Sequence, residues 1–191
     1  MTKRNGETEL DSKVCPARRA GVLDNRGRKL LQNPDKILAK LVQPGQRVLD
    51  IGCGPGFFSL AMARIVGEEG LVIAADLQQE MLDRLRRHAR ADGLEPRIQL
   101  HRCQTDRIGL DETVDFALVF YMIHEVPDTE AFLREMHCIL RSGGGLLLVE
   151  PKFHVSASSF RSTVDLACAI GFKATAEPRI FLSRSVLLKR D

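Results

Sequence analysis

Ten consecutive residues carry the most specific chemistry in this sequence: Val48-Leu49-Asp50-Ile51-Gly52-Cys53-Gly54-Pro55-Gly56-Phe57. An apolar run leads straight into three glycines at alternate positions. Glycines let a backbone turn sharply and approach a ligand where any Cβ would collide. A helix starting just beyond adds unpaired N–H groups and the positive end of a dipole. Asp76 follows a second apolar run, Leu71–Ala75, and stands where a carboxylate accepts both hydroxyls of a ribose. The pattern predicts a nucleoside-binding crevice. A dinucleotide loop, G-x-G-x-x-G/A, needs a small residue where this chain has the bulky Phe57, and here the glycine comes one residue early. The charge of Asp50, two residues before the first glycine, repels a pyrophosphate and attracts an ammonium or sulfonium. Both features argue against a nicotinamide cofactor.

A second group of chemically able residues follows two later apolar runs. Tyr121, Met122, His124 and Glu125 come after the first of these, and Glu150, Lys152 and His154 after the second. His124 beside Glu125 is the best candidate for a general base, an imidazole whose proton affinity a neighbouring carboxylate raises. The competing reading is a histidine that packs or bonds the backbone. His154 is open to the same two readings. Lys152 pairs either with an acidic ligand or with Glu150. The five cysteines, Cys15, Cys53, Cys103, Cys138 and Cys168, include no C-x-x-C pair, which argues against a disulfide framework and a zinc knuckle. Most are expected to be small buried hydrophobes, with Cys15, in a polar basic stretch, as the exception.

Positioning these groups requires a regular scaffold, and the hydropathy pattern supplies one. Asn33-Pro34-Asp35 opens a helix with Ile37, Leu38, Leu41 and Val42 inward, and Pro44-Gly45 ends it. Strands are expected over Arg47–Ile51, Leu71–Ala75, Arg97–His101, Phe116–Tyr121 and Gly145–Glu150. Helices are expected over Gly56–Val66, Gln78–Ala91, Thr129–Leu140 and Ser158–Ile170. Such alternation implies βαβ units and a parallel sheet covered on both faces. The end of the chain differs: Phe172–Ala176 and Ile180–Leu188 read as strands joined only by Glu177-Pro178-Arg179. So short a link cannot form a parallel crossover, and the last strand must run antiparallel to its neighbour.

Together the glycine loop, Asp76, Val114-Asp115-Phe116-Ala117-Leu118-Val119 and Leu140-Arg141-Ser142-Gly143-Gly144-Gly145 resemble the class I S-adenosylmethionine-dependent methyltransferases. The first motif of that family is written hxhD/ExGxGxG, and the resemblance runs over about residues 30–190. Within the class the chain is similar to the methyltransferase type 11 group, which includes quinone-biosynthesis enzymes. The resemblance implies an α/β fold, a doubly wound, Rossmann-like seven-stranded sheet ordered 3-2-1-4-5-7-6 with strand seven antiparallel. It implies S-adenosylmethionine as cofactor, with Asp50 and the Gly52, Cys53, Gly54 and Gly56 loop at the methionine end. Asp76 then takes the ribose, Leu77 flanks the adenine, and Phe57 and Tyr121 either lie near the cofactor, as their positions suggest, or belong to the core. Many relatives carry an aspartate after the third strand for the adenine amino group. Here Gln104 most nearly occupies that place, with Asp106 as its rival.

A sulfonium already makes its methyl group a strong electrophile, so the protein's main task is in-line alignment with water excluded. A base helps only when the acceptor must lose a proton, and His124, Tyr121 and His154 are the catalytic candidates. The fourth strand lacks an Asp/Asn-Pro-Pro-Tyr signature, and there is no Trp and one Tyr to stack bases. A small-molecule acceptor is therefore expected over RNA or protein, and over a nicotinamide-dependent oxidoreductase. The composition, 44% hydrophobic and 28% charged, is that of an ordinary globular protein with no apolar run that spans a bilayer. A cytoplasmic protein is expected, one domain over residues 31–191 preceded by an arm or cap over residues 1–30. Residues 1–47 hold eleven lysines and arginines against five acidic residues, while the remainder is net negative. That basic leader reads either as a solvated segment or as an attractor of anions. The arm is also the candidate lid over the acceptor, with Cys15, Arg18 and Arg19 facing it.

Overall fold

A computed structural model describes residues 31–191, so the expected arm with Cys15, Arg18 and Arg19 lies outside the described residues. Seven strands are present: β1 Arg47–Ile51, β2 Leu71–Asp76, β3 Ile98–Arg102, β4 Val114–Phe120, β5 Leu140–Pro151, β6 Phe172–Ala176 and β7 Ser183–Arg190. They form one sheet in the order β3-β2-β1-β4-β5-β7-β6. The first five pair in parallel, and β7 runs antiparallel to both β5 and β6. The order reverses between β1 and β4, where an open α/β sheet splits to make a ligand crevice.

Both faces of the central strands β1, β2, β4 and β5 are buried, as near-continuous apolar strands require, while the edge strands β3 and β6 are partly exposed. Successive residues of a strand point to opposite faces, and the two cores divide accordingly. Val48, Val72, Leu118 and Leu147 pack with Leu38, Val42 and Met62 on one side. Leu49, Ile73, Val119 and Leu146 pack with Leu133 and Met136 on the other. The first layer includes helices α1 (Pro34–Leu38) and α2 (Ser59–Val66). Helix α3 (Gln79–Ala91) buries Met81, Leu82, Leu85 and Ala89, at helical spacing, beneath Cys53 and Ala74. The opposite layer holds α4 (Thr129–Ile139) and α5 (Ala157–Ile170), whose N-caps Asp128 and Ser156 accept from the Ala131 and Ser159 N–H groups.

The expected elements are present, with four differences of physical interest. Helix α2 begins at Ser59 rather than Gly56, because Gly56 sits at φ 100°, outside the helical region. Strand β5 begins at Leu140 rather than Gly145; the partner of β4 jumps from Leu140 to Gly145, and residues 141–144 bulge between. The β6–β7 connection is longer than Glu177-Pro178-Arg179, because the Ser183 N–H bonds the Ile180 carbonyl at 3.1 Å and delays the strand. The cysteines depart from the expected burial: Cys53 is buried and Cys103 half-buried, but Cys138 and Cys168 are exposed. Each adjoins an inward residue, Ile139 and Ala167, and the roughly 100° helical step turns it to solvent.

Candidate active site

The carboxyl ends of β1 to β5 surround one cavity of about 710 Å³. That size falls within the roughly 300–1,000 Å³ of small-molecule sites. Because the strand order is 3-2-1-4-5, the cavity has two sides. Asp50–Pro55, Asp76–Gln78 and Cys103–Ile108 line the side above β1, β2 and β3; Phe120–Met122, His124–Asp128, Pro151, Phe153 and His154 line the side above β4 and β5.

The glycine loop is held from three directions. The Gly52 and Cys53 N–H groups both donate to the Ala75 carbonyl, at 2.8 and 3.0 Å. The Gly54 N–H donates to Asp76 Oδ2 at 2.9 Å, and the Gln78 N–H to Oδ1 at 2.8 Å. From α3, His88 Nδ1 lies 3.0 Å from the Pro55 carbonyl oxygen. Two glycines are required by close approach as well as by backbone conformation. A Cβ on Gly52 (φ 72°) would stand 2.9 Å from Met122 Cγ, and one on Gly56 only 2.2 Å from Leu85 Cδ1. Gly54 has open space where a side chain would be, so the loop presents bare backbone to the cavity.

Two buried carboxylates flank this loop. Asp50 Oδ2 accepts from the Ser59 hydroxyl at 2.5 Å, both residues being buried. Ser59, which the sequence reading did not single out, opens α2 and is placed there by the late helix start. Asp76 keeps a lone pair on each oxygen beyond its two backbone donors. Burial pushes its pKa above the usual aspartate value, against the pull of the Gln78, Gly54 and Leu77 N–H groups. Burial, with the fields of Asp50 and Asp76, raises the Cys53 thiol strongly. Burial, then Asp76 and Glu135, pushes Cys103 up to about 12. Both thiols stay protonated near neutrality.

Leu77, Gln104 and Asp106 all line the cavity. Gln104 is exposed; its side-chain oxygen accepts from Arg107 Nε at 2.9 Å, and its N–H donates to the Arg107 carbonyl at 3.0 Å. The loop they share is anchored by Glu135 of α4, which accepts from the Ile108 and Gly109 N–H groups at 2.8 and 2.7 Å. Nothing in the sequence marks Glu135, since its partners are backbone groups of a distant loop.

Over β4 and β5 the structure brings His124 and His154 together, their rings stacked with centroids 5.9 Å apart. The carboxylate that engages His124 is not the neighbour in sequence. His124 Nδ1 lies 2.6 Å from Glu150 Oε2, whereas Glu125 Oε1 is 4.0 Å from Nε2. Glu150 is 1% exposed, and its other oxygen has no hydrogen-bond partner among the described residues. The hydrogen bond to Glu150 raises the His124 pKa above 6.5; burial opposes the shift, and the charges of Glu150 and Glu125 add to it. Lys152, weighed as the Glu150 partner, is exposed. Tyr121 lines the cavity at φ 61°, and its hydroxyl lies 2.5 Å from both Gln32 Nε2 and Ser183 Oγ.

A largely parallel sheet, a glycine loop over a buried carboxylate and a cavity across the reversal of strand order define an α/β domain with a ligand crevice at its switch point. Residues 48–144 match the family described as "Methyltransferase domain", and the chain belongs to that family. Over 109 residues it is 35% identical to a ubiquinone/menaquinone biosynthesis C-methyltransferase of Vibrio vulnificus, the match covering 56% of this chain and 42% of that protein. It is 34% identical over 119 residues to a demethylmenaquinone methyltransferase of Lactobacillus johnsonii, covering 60% of this chain and 48% of that one. The chain thus spans less than half the length of these relatives. An S-adenosylmethionine-dependent methyltransferase from Aquifex aeolicus has the same fold, with a TM-score of 0.83 at 24% identity, over 92% of this chain and 98% of that one. The family match does not favour the nicotinamide-dependent alternative. Among the described residues no helix is long and apolar enough to cross a membrane.

Proposed function

We propose that this protein is an S-adenosylmethionine-dependent methyltransferase acting on a small-molecule acceptor. The observation that carries this reading is the buried Asp76 carboxylate beneath bare glycine backbone, on the β1–β2–β3 side of a cavity with ample room beyond. The residues fit the cofactor. Asp76 offers one lone pair per oxygen to the two ribose hydroxyls. Asp50 and the Gly52, Cys53, Gly54 and Gly56 segment hold the methionine end, where a negative charge suits the ammonium. Leu77 would lie against the adenine, Gln104 would accept from its amino group with the oxygen lone pair that Arg107 leaves, and Tyr121 would form part of the wall beside the cofactor. When bound, the cofactor supplies an electrophilic methyl group on a sulfonium. The chain's contribution is to align the acceptor above β4 and β5 and to exclude water. A small acceptor agrees with a cavity of this size, and the quinone-biosynthesis names of the relatives point the same way.

The test is titration calorimetry of S-adenosylhomocysteine on the parent and on Asp76→Ala. Losing two hydrogen bonds to a charged group, about 1.5–3 kcal/mol each, weakens affinity at least 100-fold. A parent that ignores S-adenosylhomocysteine, or a variant that binds it as the parent does, overturns the reading.

A further inference from the structure

The β4–β5 side of the cavity holds a group that cofactor binding does not use. Glu150 is buried at the end of β5 with one oxygen on His124 and the other unpartnered among the described residues. A buried carboxylate is costly unless it is paired, so its place beneath His124 has a chemical consequence. An ionised carboxylate only accepts, so the contact at 2.6 Å puts the imidazole proton on Nδ1. Nε2 is thereby the nitrogen with a lone pair, on a residue that lines the cavity. The geometry is that of an oriented base: one ring nitrogen is fixed by a carboxylate and the other keeps its lone pair, 4.0 Å from Glu125 Oε1.

Resting on the methyl-transfer reading above, we propose that His124 takes a proton from the acceptor, that Glu150 positions it, and that the acceptor is a compound with a dissociable hydroxyl. As the acceptor's O–H bond breaks, its proton goes to Nε2. Its electron pair forms the new bond to the methyl carbon, at the oxygen itself or at a carbon that the oxygen makes nucleophilic. The carbon–sulfur pair leaves with sulfur as a neutral thioether. The positive charge of the sulfonium passes to the imidazolium, where Glu150 neutralises it.

The groups around the imidazole are consistent with this role. Glu150 and Glu125 are the acidic neighbours, and His154 stacks on the ring as a second imidazole. Arg184, opposite Glu150 in the β5–β7 register, gives its Nε–H to the Val155 carbonyl at 3.1 Å. The pKa of His124 is raised mainly by the Glu150 bond, so the imidazole is protonated and unable to act as a base at pH below that raised pKa, and activity rises with pH through it.

The experiment compares the parent, His124→Gln and Glu150→Gln. Calorimetry with S-adenosylhomocysteine comes first, and all three bind with affinities within about threefold. A parent that does not bind refutes the methyl-transfer reading itself, separately from the base. Nitrogen-15 NMR of the imidazoles then reports the His124 tautomer: Nδ1–H in the parent, with its titration falling to lower pH in Glu150→Gln. Turnover is measured with labelled S-adenosylmethionine and four probes: catechol, 1,4-naphthohydroquinone, benzylamine and thiophenol. The hydroxyl probes accept methyl, His124→Gln slows them about 100-fold or more, and Glu150→Gln moves the acidic limb of the profile to lower pH. A merely structural Glu150 would leave that limb in place. The proposal is overturned by an Nε2–H tautomer in the parent, by an unmoved limb or titration in Glu150→Gln, or by transfer only to the amine or thiol or to none of the probes.

Discussion

Gly56→Ala is the substitution whose consequence the structure lets one work through most fully. At φ 100° an L side chain is strained, which costs about 1–3 kcal/mol. The new Cβ would also lie 2.2 Å from Leu85 Cδ1 and 3.3 Å from Leu85 Cγ. Leu85 is fully buried against Cys53, Ala74 and Leu82, so the end of its side chain must shift within a packed core. Overpacking of this kind costs about another 1–3 kcal/mol. The sum, roughly 2–6 kcal/mol, is a large share of the 5–15 kcal/mol by which domains are ordinarily stable. At roughly 2–4 °C per kcal/mol, the thermal midpoint falls on the order of 10 °C. Urea denaturation gives the free energy, and a cycle with Leu85→Ala isolates the contact. Leu85→Ala alone costs about 2–5 kcal/mol for the cavity it leaves. In the double variant the collision is gone, so the combined loss is smaller than the two single losses added, by about 1–3 kcal/mol. A Gly56→Ala loss below about 1 kcal/mol, or additivity within about 0.5 kcal/mol, refutes the argument that Leu85 and backbone conformation demand glycine here.

Two further outcomes are expected. The Asp76 carboxyl titrates above its usual range, so the folded chain binds that proton more readily than the unfolded one. Its contribution to stability therefore improves as pH falls through the interval between the unfolded and folded pKa values, while S-adenosylhomocysteine affinity declines as the acceptor charge is lost. The difference between the parent and Asp76→Asn, in thermal denaturation and in calorimetry from pH 7 downward, shows these opposite trends; parallel trends contradict the assignment. Glu135→Ala frees the Ile108 and Gly109 N–H groups, costs about 1–3 kcal/mol and weakens S-adenosylhomocysteine binding through the Cys103–Ile108 wall. Hydrogen exchange at Ile108 and Gly109 checks it: protection equal to the parent's would mean that the carboxylate does not anchor this loop.

The legible parts of this protein are those written in local pattern. The glycines at alternate positions, the acid at Asp76 and the alternation of apolar runs with amphipathic helices each depend on residues close in sequence. They predict parallel βαβ units, the antiparallel last strand and the cavity edge suited to a nucleoside, whereas the full strand order follows from the family resemblance. What the tertiary structure decided is where distant groups meet. The reading of His124 with Glu125 followed adjacency along the chain. Adjacent residues on a short turn point apart, and the end of β5, parallel and hydrogen-bonded beside β4, delivers Glu150 from 26 positions away. The same holds for Ser59 on Asp50, for Glu135 on the loop after β3, and for Gln32 and Ser183 on Tyr121. Element boundaries at Ser59, Leu140 and Ser183 likewise escaped the pattern, because a single backbone torsion, a bulge or one long-range ladder sets them. Hydrophobic periodicity is a sum over many residues and survives local error. A hydrogen bond between side chains depends on two directions and a distance of about 3 Å, which only the packed sheet defines.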